Sequence, residues 1–113
     1  MALGWMEQKR RYRQYKARTE QLPATYRTAI QALERYMTFF GSWKASSLLQ
    51  MLEDLVDLFE QSAADGTPVR AVVGRDPVEF AETFLQNYPV GQWIGGERER
   101  LTKAIASAAG DEP

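Results

Sequence analysis

The run Leu48 to Gly66, LLQMLEDLVDLFEQSAADG, constrains the fold more than any other part of the chain. At about 100° per residue, Leu48, Leu49, Met51, Leu52, Leu55, Val56, Leu58 and Phe59 fill one half of a helix circumference. Gln50, Glu53, Asp54, Asp57, Glu60 and Gln61 fill the other half, with no basic residue among them. A helix divided in this way must bury one side against neighbours and leave an acidic side outside the core. It describes architecture and says nothing of chemistry.

Helical periodicity continues on both sides, and no alternating strand pattern or internal repeat competes with it. A first helix is expected from about Trp5 to Gln21, ended by Pro23, which cannot continue it. A second follows up to about Phe40, with Tyr26, Ile30, Leu33, Met37 and Phe40 recurring at spacings of four and three. After a short loop from Gly41 to Ser46, Ser47 and Gln50 form a candidate capping box for the third helix. Asp65-Gly66-Thr67-Pro68 stops that helix, and a short turn from Pro68 to Val73 ends at Gly74. Asp76, Pro77 and Glu79 then open a fifth element that uses Val78, Phe80, Ala81, Phe84, Leu85 and Tyr88. Pro89 to Gly96 carries too many glycines to read as helix. A last amphipathic helix, about Glu97 to Ala108, presents Leu101, Ala104, Ile105 and Ala108. The expectation is an all-α single domain spanning residues 1–113, built of five or six short helices, with frayed ends near 1–4 and 109–113.

Two absences exclude whole classes of chemistry. The chain has no cysteine and no histidine, which removes disulfides, thiol nucleophiles, structural zinc sites, Ser-His-Asp catalysis and histidine pH switches. No catalytic residues, metal ligands or cofactor-binding residues are assigned, and the chain reads as a non-enzyme. No apolar run approaches the roughly 20 residues a membrane span needs, and no signal-peptide core opens the chain, so a cytoplasmic location is expected.

Charge divides the molecule. Residues 1–46 carry nine basic and three acidic side chains, and residues 47–113 carry five basic and twelve acidic ones. The first helix alone holds six basic residues against Glu7 and Glu20. The basic face of the first helix, with Arg11, Arg13, Lys16 and Arg18, or the acidic face of the third, with Glu53, Asp54, Asp57 and Glu60, is therefore a candidate partner surface. The simpler account is that the basic stems cover the rim of an apolar face containing Trp5, Tyr12, Tyr15 and Leu22, with their charges near the acidic helix or in water. The overall net charge of −1 argues against direct nucleic-acid binding. The complementary halves permit a homodimer, basic end to acidic end. For the acidic stripe, a solvated or partner-facing surface is favoured over a metal site, since bundle sites usually add histidine and face the core.

The aromatics give a second candidate. Tyr26, Tyr36, Phe40, Phe80, Phe84 and Tyr88 could line an apolar pocket for a small molecule, or simply fill the core. Trp43 and Trp93 likewise suit either core anchors or contact residues. The glycines at 91, 95 and 96 lack the spacing of a nucleotide-binding loop.

Leu55-Val56-Asp57-Leu58-Phe59-Glu60, followed by Ala63-Ala64-Asp65-Gly66, resembles the hallmark of a small bacterial family, domain of unknown function 1048. The likeness extends back through Tyr36-Met37, Tyr26 and Leu22-Pro23, and forward through Val69, Val72, Gly74, Asp76 and Phe80. It covers residues 7–86 and fades after Leu85, because Pro89 to Gly96 looks unlike the family's continuous helical end. The resemblance implies an all-helical domain wound as a left-handed superhelix, with no assigned activity and no functional residues to transfer. It further implies genomic neighbourhood with PadR-type winged-helix regulators, and hence a protein partner of that kind.

Overall fold

The computed structural model describes residues 2–39 and 45–110, with side chains described at 4–39, 46–89 and 95–110. Six helices follow one another: α1 (Ala2–Glu20), α2 (Ala24–Thr38), α3 (Ala45–Asp65), α4 (Val69–Val73), α5 (Pro77–Leu85) and α6 (Pro89–Gly110). No strand occurs among the described residues. Phe40 and Trp43 lie outside the described residues, as does the side chain of Trp93.

The third helix forms the centre, as its pattern dictates. Met51, Leu52, Leu55, Val56 and Phe59 are fully buried, and Leu49 nearly so. Around them pack Tyr15 from α1, Leu22 from the turn after it, Ile30, Leu33 and Met37 from α2, Ala81 and Leu85 from α5, and Tyr88. Each such aliphatic or aromatic side chain contributes on the order of 1.5–3 kcal/mol by leaving water.

Helix boundaries follow local chemistry. Asp76 caps α5 by accepting from the backbone N–H of Val78 at 3.0 Å and of Glu79 at 3.1 Å, with Pro77 in the first turn. Gly66 ends α3 with φ +71° and Gly74 ends α4 with φ +85°, a left-handed geometry that disfavours a side chain. Pro23 stands one place before α2 rather than inside it.

Three expectations need correction. Helix α3 begins at Ala45, so Ser47 is its third residue and cannot be its N-cap. Tyr15 of α1 and Leu22 just after it are buried, whereas Trp5 is 60% exposed and Tyr12 39% exposed, because these two border an open surface groove beside Leu48 and Leu49 of α3 instead of entering the core. The segment from Pro89 to Gly96 is helical, and α6 runs unbroken to Gly110. Glycine weakens a helix by about 1 kcal/mol per residue relative to alanine, and the helix forms in spite of that cost. Helix α6 folds back along α5, where Arg98 meets Glu82 at 2.8 Å and fixes an antiparallel hairpin. Beyond this bridge every residue from Thr102 to Gly110 is exposed. The projecting end explains a radius of gyration of 17.6 Å, against about 13 Å for a compact chain of this length.

Candidate functional site

Most of the charged residues singled out by sequence meet one another. Arg11 Nε donates to Glu53 Oε2 at 3.0 Å and its Nη2 to Oε1 at 2.7 Å, a bidentate pair. Arg18 Nε donates to Glu60 Oε2 at 3.0 Å, and its Nη2 to Glu60 Oε1 at 2.6 Å and to Asp57. Seven residues separate the two arginines and seven separate the two glutamates, so each pair returns to nearly the same face of its helix. Both contacts advance in the same chain direction, so α1 and α3 lie side by side in parallel. Arg11 holds the Glu53 carboxyl below its ordinary value mainly by donating to it, against the opposing effect of burial. The guanidinium of Arg18 is pushed up, chiefly by its bond with Glu60.

Asp54 is also occupied within the chain. It accepts from the Tyr88 hydroxyl and, at 2.9 Å, from the Gln50 amide. Burial, with the bond to Asp54, pushes the Tyr88 phenol up. Arg13 is exposed and makes no ion pair among the described residues, while Lys16 sits 6.0 Å above the Tyr12 ring. Of the eight residues proposed as a partner surface, six are therefore joined inside the molecule, and Arg13 and Lys16 face outward. Among the described residues no cluster of acidic groups is arranged to hold a metal ion.

The aromatic set divides in the same way. Tyr26 donates to the carbonyl of Thr67, and Tyr36 to Glu82 Oε2 at 3.3 Å. Phe80, Phe84 and Tyr88 stack in succession along one face, with centroids 6.0 and 5.8 Å apart. The two hydroxyl contacts tie separate elements together, whereas the ring contacts run along α5 and the turn after it. Of the six, Tyr36 alone borders the groove described next, and Phe40 is outside the described residues.

That groove, about 710 Å³ in volume, runs between α2 and the turn from α4 into α5. Thr25, Thr28, Ala29 and Ala32 on α2 are short, and their spacing of three and four residues keeps them on one face. Val69 and Val73 of α4, Gly74, and Pro77 and Val78 of α5 form the opposite wall, over Leu33. Sequence reasoning sought aromatic pocket walls and passed over these small residues. Their periodicity on α2 was the available signal.

A second surface lies on α6. Leu101 is 64% exposed and Ile105 61% exposed, on the same helical face as Ala104 and Ala108. The sequence pattern of this stripe is that of a buried helix face, yet nothing among the described residues covers it. The glycines at 91, 95 and 96 lie within the same helix and form no loop. No helix among the described residues is long and apolar enough to cross a membrane.

The architecture is that of a small all-α domain whose acidic and basic helices close on each other. The chain belongs to the family described as Protein of unknown function (DUF1048), whose model matches residues 4–106. The match continues through most of α6, well past Leu85, where the resemblance read from sequence ends. No curated protein matches the chain significantly.

Proposed function

We propose that the protein is a non-enzymatic interaction domain, an accessory to a transcriptional regulator, working in the cytoplasm through the projecting half of α6. The observation that carries this reading is the stripe of Leu101 and Ile105, each more than half exposed on a helix end that no described residue covers. Isolated helices of such length are marginal in water, and an apolar stripe on one is best used against a protein partner. The paired charges of α1 and α3 support the same choice. A partner that engaged Glu53 or Glu60 would first have to displace Arg11 or Arg18. The regulatory side of the proposal rests on the neighbourhood with PadR-type regulators that the resemblance implies. A homodimer through the same stripe is the simplest variant of it.

The test compares gentle affinity purification of the wild-type chain with that of a Leu101→Glu, Ile105→Glu double variant. A stoichiometric regulator with the wild type, lost in the variant at unchanged helicity, is the expected result. Equal recovery with both chains would remove α6 from the account.

A second reading, a small-molecule sensor, is favoured by one observation, the groove between α2 and the α4–α5 turn. Its volume of about 710 Å³ falls within the range of roughly 300–1,000 Å³ usual for ligand pockets, and its walls are mostly apolar. A thermal-shift screen tests it, because a ligand that binds the folded chain raises the midpoint.

A further inference from the structure

The polar groups of the groove are as informative as its apolar walls. Among the described residues its lining contains one charged side chain, Arg70, and no carboxylate. Arg70 is exposed and makes no ion pair or side-chain hydrogen bond among the described residues. The arginines of the α1–α3 seam contrast with it, since each is held by one or two carboxylates. Thr25 and Thr28, on the α2 wall, likewise make no side-chain hydrogen bond there. The groove thus offers a planar fork of unused N–H donors and two hydroxyls beside an apolar trough.

A cationic ligand would find no counter-charge in this lining, and a fully apolar one would leave the donors to water. A multiply charged anion such as a nucleotide would meet only one cation and would bring large polar surface against valine and alanine. The chemistry that uses both halves is an apolar chain or ring ending in a single carboxylate. We propose that the groove binds a small apolar monocarboxylate, its body against Ala29, Leu33, Val69 and Val73 and its carboxylate on Arg70. This rests on the ligand-binding reading above and assigns it a chemical class. The α2 wall admits the ligand body because Ala29 and Ala32 are short. Bidentate geometry at Arg70 suits a carboxylate oxygen pair.

Decanoate and decan-1-ol, both below their micellar or solubility limits, serve as probes, read by calorimetry and by methyl chemical shifts in the full chain. Decanoate is expected to move the Ala29, Val69 and Val73 methyl signals and to bind about three- to fivefold more tightly than the alcohol, the scale of an exposed ion pair. Arg70→Gln should remove that preference while retaining the alcohol's affinity. Ala32→Trp should abolish binding of both, with Thr28→Trp as a second blocking variant if the first lowers helicity. Equal binding of acid and alcohol in the wild type would overturn the carboxylate class and leave a ligand groove standing. Failure of both probes to move the groove methyls, or shifts confined to Leu101 and Ile105, would overturn the proposal and the ligand-binding reading together.

Discussion

Helices α3 and α6 both carry an apolar stripe, the one in α3 larger, and the two meet opposite fates. In α3, the stripe from Leu49 to Phe59 is buried among side chains of α1, α2 and α5. In α6, Leu101 and Ile105 recur with the same helical logic and stay in water. Periodicity therefore specifies that a face is apolar and leaves open whether the chain itself supplies the cover. The flanking charges make the distinction. The acidic side of α3 finds Arg11 and Arg18 on its own chain, whereas α6 is pinned to the body through Arg98 and Glu82 and extends beyond it.

Substitution at the two stripes should separate them most strongly. Phe59→Ala is expected to cost about 3–5 kcal/mol of stability in urea unfolding, by loss of burial and formation of a cavity. Leu101→Ala, by contrast, should stay within about 0.5 kcal/mol, as for other surface changes. A large loss at Leu101 would mean that α6 is packed in solution.

The seam between α1 and α3 offers the next effect. A double-mutant cycle with Arg11→Ala and Glu53→Ala should give a coupling of about 1 kcal/mol, weakened by salt, since the pair is only partly shielded. Zero coupling would reduce the seam to apolar contact. At the start of α5, Asp76→Ala should cost a similar amount, about 1 kcal/mol, by leaving two N–H groups uncapped.

Acid provides a subtler test of the same seam. The Glu53 and Glu82 carboxyls are held below their ordinary value of 4.5 by Arg11 and Arg98 respectively. Their contribution is complete above that value and disappears as pH falls through the lowered folded-state values. Glu53→Gln should flatten the stability profile below pH 4.5 and change its slope little above it. An unaltered acid limb in the variant would show that the Arg11 contact does not shift Glu53.

Much of this architecture was legible from particular residues. Gly66, Gly74 and Asp76 marked their turns because a left-handed φ and an N-cap each demand few residue types. The complementarity of the two halves anticipated the seam, and the spacing of seven at Arg11 and Arg18 matches that at Glu53 and Glu60. Pro89 to Gly96 was misread because glycine propensity is a local quantity, while the hairpin with α5 is not. Trp5 looked like core because Tyr15 further along the same helix does pack, whereas Trp5 itself borders an open groove beside Leu48 and Leu49. The groove escaped notice because it is made by the shortness of Ala29 and Ala32, whose helical spacing on α2 is a faint signal that carries no chemistry of its own.

The core described above closes without the outer half of α6, which is left as a surface. Native-state hydrogen exchange on the isolated chain at low concentration tests this most directly. The amides of Met51 to Phe59 should exchange only through global unfolding, while those of Thr102 to Gly110 exchange at close to unprotected rates. Protection at Thr102 to Gly110 equal to that of α3 in the same sample would contradict the account.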